Sequence, residues 1–158
     1  MTNAPPSPQT PRGLDLGMNV KRGLIVWFTM IPVAFANGAV RQFVYGPVVG
    51  EPTAHQVSCF TAMALFGLLI WIASRRWAFS SQRHAFHIGL FWASLTVLFE
   101  TGLGLTGGMG WREIFSTYAF WNGELWALVI VFLVAAPVVV AWRRTRAASC
   151  GESAPEIR

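Results

Sequence analysis

Four long apolar stretches constrain the fold of this chain more than any other feature. They run from about residue 23 to 40, 54 to 74, 84 to 103 and 122 to 142. Each is long enough to cross the ~30 Å hydrocarbon core of a bilayer as a helix. Lipid offers the backbone no hydrogen-bond partners, so a spanning segment must satisfy its own N–H and C=O groups. The sequence therefore predicts an all-α integral membrane protein, a bundle of four transmembrane helices.

The composition agrees with a membrane protein. Apolar residues make up 54% of the 158 residues and charged residues only 12%, about half the charged fraction of a soluble domain. Eight Trp and twelve Phe suit a chain that meets two lipid–water interfaces. The net charge of +5 does not indicate nucleic acid, because the basic residues flank the apolar stretches and form no continuous stripe. We expect the lipid bilayer as a partner and no nucleic acid.

The segments outside the apolar stretches divide the chain. Residues 1–20 hold four prolines and few large apolar groups, which predicts a disordered cytoplasmic tail. The four-helix domain is then residues 21–146, and residues 147–158 form a polar cytoplasmic tail. Glycines and prolines predict a loop over residues 42–53, with Thr53 capping the next helix. A glycine-rich bend at Gly102–Gly110 leads to a short interfacial helix over Glu113–Phe120.

The distribution of basic residues predicts the topology. With four spans, only Arg41 and Arg112 fall on one side of the bilayer. The other ten of the twelve Lys and Arg fall on the opposite side: Arg12, Lys21, Arg22, Arg75, Arg76, Arg83, Arg143, Arg144, Arg146 and Arg158. Cytoplasmic segments carry the excess of Lys and Arg. We therefore expect both termini in the cytoplasm.

The remaining charged residues gather on the outer side and form the candidate site. The candidate charged cluster is Arg41, His55, Glu100, Arg112 and Glu124. Glu124 begins the fourth predicted helix, where the helix dipole favours a carboxylate, so capping is favoured over a ligand role. The other four have no such local explanation.

Glu100 is the sharpest candidate within that cluster. It shares a helical face with the small residues Gly89, Ala93 and Thr96, which let helices approach closely in lipid. Its carboxyl should therefore point into the bundle. Two interpretations stay open. The favoured one is a structural ion pair with Arg41 that holds the first helix to the third. The other is a site where an unpaired Glu100 binds a proton or a cation.

Several kinds of site are not supported by the sequence. Cys59 and Cys150 lie in an apolar segment and a polar tail and predict no disulfide. His84 and His87 sit on one helix, on the opposite side from His55, so two histidines cannot bracket a haem. The glycines of the bend lack the βαβ context of a phosphate loop. We predict no catalytic residue, metal site or cofactor, and we expect no enzyme.

Three segments resemble a type of small, uncharacterised bacterial four-helix inner-membrane protein. They are NGAVRQF, LFETGLG and GWREIFSTYAFWNGELWALV, within residues 35–130. The resemblance implies the fold and a multi-pass location in the bacterial inner membrane, and it implies no activity. Small multidrug resistance transporters also have four helices. They carry their key glutamate in the first helix, where this chain has none.

Two functions remain open from the sequence. The favoured one is a non-catalytic accessory or small binding protein whose charged outer face recognises a partner, either another membrane protein or a second copy of this chain. The alternative is a small oligomeric transporter or ion-coupled carrier that uses Glu100 and Arg41. Transporter sites usually lie near the bilayer midplane. No charged residue of the predicted spans lies there, which disfavours the alternative.

Overall fold

The computed structural model describes the backbone of residues 12–116 and 125–151, and the side chains of residues 20–116 and 125–147. Within those ranges the regular elements are all helical. They are α1 (Arg12–Val40), a π-helical segment (Arg41–Tyr45), α2 (Gly46–Val49), α3 (Glu51–Arg76), α4 (Gln82–Thr106), α5 (Trp111–Ser116) and α6 (Trp126–Gly151).

Four helices are long and apolar enough to span a membrane, which confirms the predicted all-α architecture with four candidate spans. These spans are Val20–Val49, Glu51–Arg76, Gln82–Thr106 and Trp126–Ala147. Only 17–33% of the most apolar window of each is buried inside the protein. Large apolar side chains such as Phe28, Leu98 and Val131 are more than half exposed. The helices thus bury a narrow inner face and present an apolar outer surface.

The four long helices pack in the cyclic order α1, α3, α6, α4. Contact is most extensive between α4 and α6, intermediate for α1–α3 and α3–α6, and least for α1–α4. We call the end that holds Val40, Glu51, Thr106 and Trp126 the pocket end. The opposite end holds Lys21, Arg22, Arg75, Arg76, Arg83 and Arg143, and we call it the arginine end. The least packed seam is therefore the one between α1 and α4.

Close backbone contact explains the tight α4–α6 pair. A Cβ atom built on Gly89 would lie 2.7 Å from the carbonyl oxygen of Val134 and 2.8 Å from its Cα, so only glycine fits there. Ala93, one turn along, is buried as well. The small-residue face predicted on this helix thus permits a close helix crossing, although its partner is α6.

Two tryptophans join α1 to α4 in the half of the bundle nearer the arginine end. The Nε1–H group of Trp92, a fully buried side chain, donates to the carbonyl oxygen of Gly23 at 2.8 Å. The Nε1–H group of Trp27 donates to Oγ1 of Thr96 at 3.2 Å. Both bonds satisfy indole donors that would be costly to bury unpaired. They join the two helices on this side, and an edge-to-face contact between the rings of Phe35 and Phe99, with centroids 6.5 Å apart, joins them nearer the pocket end.

Residues 42–53 are helical apart from Gly50, so the predicted loop is wrong. Pro47 and Pro52 each occupy the first turn of a helix, where a proline interrupts no intrahelical hydrogen bond. Gly50 has φ +82°, a conformation that glycine adopts without strain. Its carbonyl accepts from the N–H group of Ala54 at 2.9 Å. Gly50, and not Thr53, is the N-cap of α3.

The chain leaves α1 through a π-helical turn that the sequence does not predict. The N–H group of Gly46 donates to the carbonyl oxygen of Arg41, five residues earlier. A Cβ atom on Gly46 would lie 2.6 Å from that same oxygen, so the turn depends on glycine. Single π turns occur often at functional sites. This one begins at Arg41, a residue of the candidate cluster.

Other boundaries differ from the sequence prediction. The first helix begins at Arg12, so residues 12–20, predicted as part of a disordered tail, are helical. The third span continues to Thr106, which shortens the predicted bend to residues 107–110. The short helix there is Trp111–Ser116. Residues 117–120 of the predicted interfacial helix and the predicted start of the last span, including Glu124, lie outside the described residues.

Candidate functional site

A cavity of 620 Å³ opens at the pocket end, in the wedge between α1, α3 and α4. Its walls are mainly apolar, and four phenylalanines, Phe35, Phe43, Phe66 and Phe99, contribute to them. Small-molecule sites in proteins are commonly of this size, lined by apolar side chains with a few placed polar groups. The cavity therefore has the dimensions and character of a binding pocket.

Six polar side chains line the pocket. Three of them, Arg41, His55 and Glu100, belong to the candidate charged cluster, so the fold brings these three together. Arg112, also in that cluster, is exposed on α5 and is not among the lining residues. Glu124, the fifth member, lies outside the described residues. The other three polar lining residues are Asn37, Gln42 and Ser58.

The guanidinium of Arg41 is hydrogen-bonded to His55. Nη1 of Arg41 lies 2.8 Å from Nδ1 of His55. A guanidinium can only donate, so Nδ1 is the acceptor and the imidazole proton resides on Nε2. That nitrogen lies 3.8 Å from Sγ of Cys59, within reach of a weak N–H···S contact. The geometry thus selects one neutral tautomer of His55.

Arg41 and Glu100 form no ion pair in the described part of the chain. Both line the pocket, but the guanidinium is directed to His55. The favoured interpretation from the sequence, a structural ion pair between the first and third spans, is therefore wrong. Glu100 has no hydrogen bond or ion pair with any described residue. Its carboxyl stands in the pocket as an unused polar group.

One donor of Arg41 is also unused. Its Nε–H group is buried and has no hydrogen-bond partner among the described residues. A buried donor without an acceptor costs about 1–3 kcal/mol. Among the described residues, Arg41 thus keeps a buried donor without an acceptor, and Glu100 on α4 keeps a carboxyl without a donor.

Asn37 fixes the position of Arg41. The Nδ2 amide group of Asn37 donates to the backbone oxygen and to Oγ of Ser58, both at 2.9 Å. Its Oδ1 accepts from Oγ1 of Thr61 at 2.7 Å. These bonds clamp α1 to α3 one turn before Arg41 and one turn beyond His55. Asn37 is a positioning residue, because its own hydrogen bonds are already made within the protein.

A short cover over the pocket is formed by α5 and the turn before it. Ile114 is buried, and a Cβ atom on Gly104 would lie 3.2 Å from its Cγ1. Met109 and Ile114 both line the pocket. On the outer side of α5, Trp111 and Phe115 are exposed and stacked at 6.3 Å. The cover thus packs against α4 through Ile114, is tied to it by the hydrogen bond from the N–H group of Met109 to the carbonyl oxygen of Gly104 at 2.9 Å, and carries an aromatic outer face.

Sequence reasoning missed the apolar walls of the pocket. Phe66 and Phe99 look like lipid-facing residues in the sequence, but both line the cavity. A signal exists for Phe66, because His55, Ser58, Ala62 and Phe66 recur at intervals of three or four residues on one face of α3. For Phe99, beside Glu100, adjacency to a charged residue is the only hint.

The described residues hold no group of three or more His, Cys, Asp or Glu side chains that could bind a metal ion. Comparison with protein-family profiles, curated proteins and solved structures finds no match to the chain. Any functional argument must therefore come from the pocket and its chemistry.

Proposed function

We propose that the four long helices cross the inner membrane of a bacterium, with the arginine end and both termini in the cytoplasm. The outward apolar surface supports insertion, because soluble monomers rarely expose apolar patches beyond a few hundred Å². Arg75 lies 4.4 Å over the ring of Trp71, and Arg146 lies 4.0 Å over Trp142. Such exposed tryptophan–arginine pairs suit the lipid–water boundary. The excess of basic residues at this end supports the cytoplasmic side.

Within that topology, we propose a non-catalytic binding protein for a small, mainly apolar molecule with a polar end. The observation that carries the proposal is the carboxyl of Glu100, which faces a 620 Å³ pocket without an ion pair or hydrogen bond from the described residues. Ionisable groups at membrane depth are costly and usually serve a function. A ligand that pairs with this carboxyl would recover that cost.

The interior beyond the pocket disfavours transport by a single chain. Trp92, Ile70 and Leu133 are almost completely buried in the core, and Trp92 is hydrogen-bonded across the α1–α4 seam. Alternating access would have to break this packing. The transporter therefore stays the second candidate, and it would require an assembly of several copies or a large helix movement.

The proposal can be tested with monodansylcadaverine, a primary amine whose aromatic group fluoresces in apolar surroundings. We expect saturable binding to the detergent-purified protein, and at least a ~10-fold loss of affinity in Glu100→Gln, about 1.4 kcal/mol of binding free energy. Glu113→Gln is the matched control, since Glu113 is exposed at the same end. Equal binding by both variants, or no saturable binding by a folded protein, would refute the proposal.

A further inference from the structure

The polar groups of the pocket are complementary to a zwitterion. At the start of the π-helical segment, the guanidinium of Arg41 lines the pocket and has no acidic partner among the described residues. On α4, the carboxyl of Glu100 has no donor or cation among the described residues. His55 accepts from Arg41 through Nδ1 and adds no positive charge in that tautomer. One guanidinium and one carboxylate are matched by one anionic and one cationic group on the same ligand.

One side of the pocket runs along the seam between α1 and α4, where Phe35 and Phe99 meet edge to face with ring centroids 6.5 Å apart. Three large apolar side chains that line the pocket are exposed. Phe35 on α1 is 58% exposed, Phe43 in the π-helical segment is 76% exposed, and Leu103 on α4 is 43% exposed. These two helices are the least packed of the neighbouring pairs. In a membrane this seam faces acyl chains, so a ligand would enter sideways from the bilayer.

The depth of the pocket matches the head-group layer. Helix α4 has 25 residues, a length of about 37 Å, so it extends beyond a ~30 Å hydrocarbon core. Glu100 lies six residues before the end of α4 at Thr106, about 9 Å along the axis. If the helix is centred in the bilayer, Glu100 lies about one turn inside the hydrocarbon boundary. A lipid head group needs only a small displacement to reach it.

We propose that the pocket binds the head group of a zwitterionic phospholipid with a primary ammonium, of the phosphatidylethanolamine type. The ammonium donates to the carboxylate of Glu100. A phosphate oxygen accepts from the guanidinium of Arg41, a group that binds phosphate well. The acyl chains leave through the α1–α4 seam past Phe35 and Leu103. This inference rests on the proposed binding function and names its ligand class.

Native mass spectrometry on protein released from nanodiscs containing equal amounts of phosphatidylethanolamine and phosphatidylglycerol provides the test. We expect the protein to retain the zwitterionic lipid at least ~5-fold over the anionic one, and Glu100→Gln to remove that preference. Arg41→Lys, which keeps the charge but lacks the planar guanidinium, should weaken retention several-fold. Glu113→Gln and Arg112→Gln are the controls at the same end and should retain the lipid as before. Unchanged thermal midpoints in each variant exclude misfolding.

Other results would overturn the inference. Preferential retention of phosphatidylglycerol, or an unchanged preference in Glu100→Gln, contradicts the zwitterion. Displacement of the lipid by free phosphoethanolamine at millimolar concentration would identify a soluble zwitterion and contradict the lipid. If monodansylcadaverine binds in a Glu100-dependent way without any lipid preference, only this inference fails. If neither the amine nor the lipid binds, the proposed binding function fails as well.

Discussion

Arg41 and His55 face each other across the α1–α3 interface, with Nη1 of the arginine 2.8 Å from Nδ1 of the histidine. The contact orients the guanidinium without neutralising it. An ion pair with Glu100 would have done both, and would have left the pocket with two satisfied groups. The pocket instead retains a positive charge on one wall and a carboxyl on another.

A double-mutant cycle will measure this contact. We expect His55→Ala to destabilise the protein by about 0.5–2 kcal/mol more in the native background than in Arg41→Gln, because the interaction is lost only once. The cycle is needed because His55 makes a further contact besides those described. Unfolding in mixed micelles gives the free energies. The same histidine variant combined with Arg112→Gln, an exposed arginine, should be additive; additivity in both cycles would contradict the contact.

Gly46→Ala tests whether the π turn positions Arg41. The new methyl group would meet the carbonyl oxygen of Arg41 at 2.6 Å, so the turn must rewind and rotate the guanidinium. We expect amine binding to fall by a factor of ~10 or more, with a stability loss of about 1–3 kcal/mol. Gly102→Ala is the control, because a Cβ atom there meets nothing within 4 Å and Gly102 is not among the residues that line the pocket. Native-like binding by Gly46→Ala would show that the π turn is dispensable.

Gly89→Ala tests the α4–α6 crossing. A Cβ atom would approach backbone atoms of Val134 and Leu133 to within 2.9 Å, and backbone cannot move aside as a flexible side chain can. We expect a loss of about 1–3 kcal/mol in the free energy of unfolding. Gly102→Ala, in the same helix, has open space around its Cβ position and should be neutral or slightly stabilising. Thermal midpoints of the two variants provide the measurement, and equal midpoints would refute the close crossing.

Trp92→Phe tests the seam between α1 and α4. The variant removes the indole donor and leaves the buried carbonyl of Gly23 without its 2.8 Å hydrogen bond. A loss of about 1–3 kcal/mol is expected. Trp71→Phe is the matched control, because Trp71 is 47% exposed and loses only a surface contact with Arg75, worth about 0.5–1 kcal/mol. A larger effect at Trp71 than at Trp92 would contradict the described core.

The number of candidate spans could be predicted from the sequence because it depends on apolar length alone, which is a local property. The small-residue face at Gly89 and Ala93 could also be predicted, as could the packing of the fourth span near the third. The loop over residues 42–53 could not be predicted correctly. Pro47 and Pro52 signal a chain break and the first turn of a helix equally well, and only the backbone around Gly50 distinguishes the two.

The hydrogen-bond partner of Arg41 could not be predicted from the sequence, for a different reason. Sequence position gives the depth of Arg41 and Glu100 along their helices, and at that level they match. It does not give the rotation of each helix about its axis, which depends on all the contacts of the bundle. The Asn37–Ser58 hydrogen bonds and the π turn after Val40 together set that rotation. They direct Arg41 to α3.

The connection at Gly50 fixes the number of residues between α2 and α3. Because this single non-helical residue connects α2 to α3, adding one residue there would turn α3 by about 100° about its axis relative to α1. His55 and Ser58 would then leave the pocket together. Most surface connections accept insertions readily, and the five residues of Trp77–Ser81 should behave in that way. The Gly50 connection should behave like an internal position of a helix, where each added residue also rotates the side chains that follow it.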